Sequence, residues 1–278
     1  STMAIQNDGT AFSHRDSMAV EEYERLSPRL LYEIIRRNGL EELVRPQASL
    51  IFSGIAAGLI ISFSFLFKAV LSTYLPHEHW AELISDLGYT VGFVLVILGH
   101  MQLFTENTIT TVVPLFNPLT LRKAVSVMRL WFTVLCSNLI GTFLAALFLH
   151  APSLLDSLFV TELNHIAAHV VQRGVWENLW HGIPAGVLIA SLVWMLPTSK
   201  SYALHLVIFT TYLIALGDFT HVVVGSSEVM YWVLQGKATL YDYFIRFLLP
   251  TGIGNIIGGT FIFTMLIYVQ VLEEIPRR

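Results

Sequence analysis

The sequence predicts an all-α membrane protein: six transmembrane helices in two inverted three-helix repeats, with the second and fifth helices broken. Three observations predict it. Of the 278 residues, 54% are hydrophobic and 13% charged, where a soluble domain carries about 25% charged residues. Mean hydropathy is correspondingly high, +0.64. Six stretches approach or exceed the roughly 20 apolar residues that a helix needs to cross the hydrocarbon core. Two of them, one in each half, are interrupted by a short polar run that carries a Phe-Thr pair and an acid.

Ahead of the first span, Val20–Val44 alternates charge with Leu26, Leu30, Leu31, Ile34, Ile35, Leu40 and Leu43. That spacing fits an amphipathic helix interrupted near Ser27-Pro28, where Pro28 suits a first helical turn. Its mixed-sign charges favour docking on the helix bundle over lying on the membrane surface. The spans are then Ser49–Leu75, Asp86–Phe116 (broken), Ala124–His150, Val175–Leu196, Tyr202–Leu234 (broken) and Tyr243–Leu272. Three spans per repeat is an odd number, so the second set runs inverted relative to the first. The chain thus divides into a helical segment 1–45, a membrane domain 46–272 and a tail 273–278. The longest outer loop, between Pro152 and Gly174, holds enough Leu and Ile to be partly helical. Gly54, Ala57 and Gly58 in span one, Gly141 in span three, and Gly252, Gly254, Gly258 and Gly259 in span six allow close helix crossings.

Positive charge orients the set. Arg15, Arg25, Arg29, Arg36, Arg37, Arg45, Arg122, Lys123, Lys200, Arg277 and Arg278 fall on one side, and Arg173, Lys237 and Arg246 on the other. Both termini are therefore expected in the cytoplasm. The polar, charged start is not the pattern of a cleaved signal peptide.

The interruptions read Gly99-His100-Met101-Gln102-Leu103-Phe104-Thr105-Glu106-Asn107 and Gly217-Asp218-Phe219-Thr220-His221. Thr105 precedes Asn138 of Asn-Leu-Ile-Gly, and Thr220 precedes Asn255 of Asn-Ile-Ile-Gly, at nearly the same spacing, which places Thr105 and Thr220 at equivalent points. Polar backbone inside hydrocarbon is tolerated only where it lines a cavity or packs on protein. Paired breaks in two repeats point to a transport site at the midplane.

Within the breaks, His221 can donate, accept or take up a proton, or it can be a core histidine that holds broken backbone in place. Thr105 and Thr220 can orient a solute or bond a freed carbonyl. Glu106 and Asp218 are carboxylates where lipid is expected, so each should neutralise, pair or face water. Capping a half-helix is the expected role of Glu106. Tyr89, Phe93 and Phe104 flank the first break and can form an apolar constriction or plain packing. His181 and Glu177 are one turn apart and could pair. His165 and His169 share an i,i+4 spacing that falls far short of a metal-ligand set. Lys68 and Arg129 near span ends are expected to snorkel.

A net charge of −4 argues against nucleic acid as a partner, and one cysteine, Cys136, excludes an internal disulfide. No nucleotide loop, nucleophile–base pair or zinc motif stands in the sequence. No cofactor, metal or enzymatic activity is expected, and the partners are a small solute, the bilayer and further copies of the chain. A channel or proton-coupled carrier for a small anion or weak acid is the leading function. A neutral or cationic solute and a closed membrane scaffold are the alternatives.

Three segments carry a resemblance. Gly99–Asn107 resembles the Gly-Ala-Glu/Asp-Leu-Phe-Thr segment of the formate/nitrite transporter family. Phe219-Thr220-His221 resembles that family's Phe-Glu-His, and Leu249–Gly259 its closing Pro-x-x-x-Gly-Asn-Ile-Ile-Gly-Gly. The likeness runs from Pro46 to Gln270, and the divergent first motif looks like that of an outlying bacterial member. It implies a homopentamer in the bacterial inner membrane, an aquaporin-like protomer, and one pore per protomer for small monovalent anions or their acids. It places the central histidine on His221, the threonine of the first break on Thr105, and constrictions on Tyr89, Phe93 and Phe104 and on Ile189 and Ile214. The departures are definite. The family's vestibule lysine falls on Val170 with His169 and Arg173 nearby, its Glu on Thr220, an Asn of span four on Gly186, and a smaller constriction residue on Phe93.

Overall fold

The structure, a computed structural model, describes residues 25–116, 118–198 and 200–275, with 13, 15, 18 and 20. Arg277, Arg278 and most of the segment before residue 25 lie outside the described residues. What is described is helical throughout its ordered elements.

Helix α1, Pro28–Val44, starts where the sequence places its interruption: the Ser27 hydroxyl accepts from Leu30 N–H and Pro28 occupies the first turn. Its buried Leu31, Tyr32 and Ile35 face protein, in a cluster that includes Ile109, Val113, Ala190, Val193 and Val271. Docking on the bundle is therefore observed for this face. Leu30 and Leu40 stay exposed.

The apolar helices follow as α2 (Gln47–Thr73), α3 (His79–Leu98), α4 (Phe104–Thr110), α5 (Leu121–His150), α6 (Ser157–Val171), α7 (Val175–Thr198), α8 (Lys200–Leu216), α9 (Val222–Leu234) and α10 (Asp242–Val271). Among the described residues, α2, α3, α5, α7 and α10 are each long and apolar enough to cross a membrane, while α8 and α9 are shorter apolar helices. Helix α2 bends at Ser62, whose hydroxyl donates back to the Gly58 carbonyl. Helix α10 contains two wide π-type turns, Asp242–Leu248 and Ile257–Thr264. The outer loop forms α6, as its Leu and Ile content suggests.

Small residues set two close crossings. A Cβ on Gly58 of α2 would strike the Asn138 carbonyl of α5, and one on Gly186 of α7 would strike the Asn255 carbonyl of α10. Position 186 consequently has no room for the Asn that the family pattern carried there. These crossings bring Asn138 and Asn255 to the two interruptions.

Candidate functional site

Both interruptions adopt one backbone. Gly99 and Gly217 end α3 and α8 with φ near −79° and −78°. The next residues, His100 and Asp218, take φ values of 53° and 55°, a left-handed conformation that costs a non-glycine residue about 1–2 kcal/mol. Leu103 and His221 then precede α4 and α9 with matching extended angles, −114°/125° and −113°/125°.

Two asparagines hold the freed backbone. Asn138 Oδ1 accepts from Phe104 N–H at 2.9 Å, and its amide donates to the Gln102 and Gly54 carbonyls, both at 2.8 Å. Asn255 does the same in the other half, accepting from Val222 N–H at 2.9 Å and donating to the Thr220 and Gly182 carbonyls at 2.9 and 2.8 Å. Asn138 and Asn255 are fully buried. Each satisfies two groups that the break leaves without a helical partner and ties them to a carbonyl of a neighbouring helix, Gly54 in α2 or Gly182 in α7.

This geometry corrects the register drawn from the Phe-Thr pairs. Gln102 matches Thr220, Leu103 matches His221 and Phe104 matches Val222, so Thr105 and Thr220 are not equivalent positions. The Thr220 hydroxyl donates to the Asn178 carbonyl at 2.9 Å, turned away from the pairing that Thr105 makes.

Thr105 and His221 meet across the two halves. His221 Nε2 lies 2.8 Å from Thr105 Oγ1, and both residues are buried. His221 Nδ1 accepts from Val224 N–H at 3.2 Å, which assigns the proton to Nε2 and makes it the donor to Thr105. The Thr105 hydroxyl keeps its own hydrogen for another acceptor. The Phe93 ring meets the His221 ring edge-on at 5.0 Å and the Tyr89 ring at a tilt of 47° at 5.4 Å. Phe104 packs on Trp131 at 5.8 Å. Tyr89, Phe93, Phe104, Ile189 and Ile214 all belong to one apolar cluster around this pair.

A cavity opens on either side. The α6-side cavity, about 450 Å³, reaches Tyr89, Ile214, Thr220 and His221. The α1-side cavity, about 360 Å³, reaches Ile97, Leu103 and Glu106. Along α3, Tyr89 lines the first and Ile97 the second, while Phe93, one turn from each, lines neither.

Of the two acids in the interruptions, Glu106 departs from its expected capping role and Asp218 pairs, one of the outcomes expected of it. Glu106 stands in the first turn of α4 but makes no capping hydrogen bond; Asn138 caps that helix, and the Glu106 carboxylate faces the α1-side cavity with Glu41 and Glu42. In that cavity Gln102 Nε2 donates to Glu42. Asp218 is ion-paired: Arg173 contacts Oδ2, and His169 Nε2 lies 2.9 Å from the same oxygen. That bond to Asp218 holds the His169 imidazole above its ordinary pKa. Val170 lines the same cavity as these groups.

Lys68 does not snorkel. Its Nζ sits 3.1 Å from Asp86 and faces the α6-side cavity, a buried ion pair that position near a span end does not disclose. Arg129 is exposed on the surface of α5. His181 Nδ1 bonds the Glu177 backbone carbonyl at 2.8 Å rather than its carboxylate. His165 faces Glu162 at 3.6 Å, apart from His169, and among the described residues no group of three metal-ligating side chains gathers. Glu228, in α9, also lines the α6-side cavity. It went unnoticed in the sequence, although a lone carboxylate in the apolar run Val222–Leu234 was itself a signal.

Residues 29–269 match the family profile described as "Formate/nitrite transporter". The inner membrane protein YfdC of Escherichia coli K12 is 38% identical over 248 residues, covering 89% of this chain and 80% of YfdC. The formate channel FocA of Escherichia coli K12 is 22% identical over 279 residues, covering 91% of this chain and 96% of FocA. A solved structure described as a pentameric formate channel with formate bound superposes with a TM-score of 0.67 at 18% identity, covering 81% of this chain and 98% of that one.

Proposed function

The chain belongs to the formate/nitrite transporter family, a family of transport proteins rather than enzymes, and from that premise we propose that each protomer forms a pore for a small monovalent anion or its weak acid. The α6-side and α1-side cavities are the outer and inner vestibules of this pore, and Phe93, Phe104, Ile189 and the Thr105–His221 pair form the barrier between them. The observation that carries the reading is the 2.8 Å contact of Thr105 with His221, which joins the two interruptions at the floor of one vestibule.

We read the chain as six spans in two inverted repeats, with α3–α4 and α8–α9 as the broken ones, a reading supported by the matched backbone and the paired asparagines. Five such protomers assemble in the bacterial inner membrane, a reading supported by the pentameric formate channel of similar fold and by YfdC. Both termini face the cytoplasm on the charge count of the loops. The proposed division is a cytoplasmic amphipathic helical segment 1–45, a channel domain 46–272 and a cytoplasmic tail 273–278.

A solute leaving the outer vestibule meets an imidazole and a hydroxyl. With Nε2–H donated to Thr105, the Thr105 hydroxyl hydrogen is free to bond an anionic or carbonyl oxygen at the barrier. The apolar rings around the pair strip water, which a neutral acid tolerates better than an anion. A neutral or cationic solute is the second reading. It is favoured by the outer vestibule's cations, Lys68 and Arg173, each being paired with an acid, and by three glutamates at the inner one.

Flux into proteoliposomes tests both readings with formate, nitrite, ammonium and water as probes. Formate or nitrite influx well above protein-free vesicles, and lost in His221→Phe, is the expected result. Ammonium influx without formate influx selects the second reading, and no influx of any probe leaves only a closed scaffold.

A further inference from the structure

Glu228 stands seven residues after His221 in α9, two helical turns or about 10 Å along the axis. Both side chains line the outer vestibule. Glu228 is only 7% exposed. Cations face the same cavity but are engaged elsewhere, Lys68 by Asp86 and Arg173 by Asp218. Among the described residues, no side chain hydrogen-bonds or ion-pairs with the Glu228 carboxyl. The remaining titratable groups that face this cavity are Glu82 of α3, the Glu162–His165 pair and His169 of α6, His77 and Tyr89, while Tyr243 of α10 packs in the apolar cluster beside α9. A carboxyl that is nearly buried, opens on a cavity lined by polar and charged side chains and has no fixed partner is placed to exchange a proton with what enters.

We propose that Glu228 is a proton-exchange residue of the outer vestibule, passing a proton to an entering weak-acid anion before it reaches Phe93. The step is a transfer between carboxyl groups. The Glu228 Oε–H bond breaks, an O–H bond forms on a formate oxygen, and hydronium from the same bath reprotonates the glutamate. Formic acid then crosses the apolar barrier without net charge, avoiding the large cost of moving an unpaired carboxylate through it. This proposal rests on the conducting-pore reading above.

The test is formate influx into proteoliposomes carrying a trapped pH dye, across external pH of about 4 to 8, a range that spans the ordinary carboxyl and histidine pKa values. Glu228→Gln keeps the shape and removes the proton. It is expected to lower formate influx about tenfold and to flatten its rise toward acid pH, with Glu228→Asp restoring part of both. Wild-type influx and pH profile in Glu228→Gln overturn the proposal. So does raised influx at every pH, which makes Glu228 only an electrostatic barrier. If wild-type vesicles take up formate no faster than empty ones, the conducting reading fails and this proposal with it. Should Glu228→Gln not assemble, Glu228→Asp decides alone: it withdraws the acid by one methylene and must slow formate influx, and an unchanged rate overturns the proposal.

Discussion

Replacing Asn138 with Leu, a side chain of similar length without polar atoms, strips partners from Phe104 N–H, Gln102 C=O and Gly54 C=O at once. All three lie where water does not reach, since Asn138 is 0% exposed. Leaving a buried backbone group unpaired costs about 1–3 kcal/mol; Phe104 N–H and Gln102 C=O lose their partner outright, while Gly54 C=O stays within its helix, so the cost is at least about 2 kcal/mol. Hydrogen bonds inside membrane proteins measure lower, about 0.6 kcal/mol each, and the three together come to a similar figure, near 2 kcal/mol. For a chain of this size each kcal/mol moves the unfolding midpoint by roughly 2–4 °C. Asn138→Leu should therefore lower the midpoint in detergent by about 4–12 °C, and Asn255→Leu, with the same three contacts, by a similar amount. The neighbouring Ser137 gives the control: its hydroxyl bonds only within α5, at the Thr133 carbonyl, so Ser137→Ala should shift the midpoint far less. Midpoints of both asparagine variants indistinguishable from wild type would refute the view that these residues hold the interruptions open.

Three further outcomes follow from the charges and rings of the outer vestibule. Val170→Lys adds a cation that Asp218 has not already claimed, so formate influx should rise a few-fold at low salt and the gain should shrink as salt is added; no gain at either ionic strength contradicts it. Because the Phe93 ring sits 5.0 Å from His221, Phe93→Leu should enlarge that gain in the double variant, and strictly additive effects would count against a shared path. His169 has its pKa raised by Asp218, so the pair's contribution is complete below the ordinary histidine pKa and is lost as pH rises through the raised value. Once the intrinsic base-catalysed rise is divided out, amide protection in α6 should fall over that pH rise in wild type and stay level in His169→Gln, where an equal fall would remove the pair as its cause.

How much of this was legible depended on whether the signal was local. Five apolar spans, the start of α1 and the helical outer loop are written in runs of apolar residues and in one Ser-Pro cap, and these the structure contains. Asn138 and Asn255 stood out as repeat markers, but their work, crossing from α5 and α10 to another helix's carbonyls, involves partners 33 to 84 residues away. The register of the two interruptions was misread because backbone conformation, not side-chain chemistry, is what they share: Gln102 sits where Thr220 does, and Leu103 where His221 does. Counting back from each asparagine to the helix it caps would have found it. Which of neutralising, pairing or facing water Asp218 does was not legible, because its partners lie on α6 and just beyond it, 49 residues away at His169. Lys68 looked like a snorkelling lysine because its partner Asp86 belongs to the next helix.

Thiol labelling at Thr105 tests most directly whether solute passes the Thr105–His221 pair within one protomer. Thr105→Cys is made in a Cys136→Ser background, which removes the chain's other thiol, and formate influx is measured before and after a small methanethiosulfonate reagent, with labelling read by mass. Influx that stops as the introduced thiol is labelled, and labelling that formate slows, is the predicted result. Formate influx continuing at its full rate through protein that is completely labelled would contradict a path through this pair.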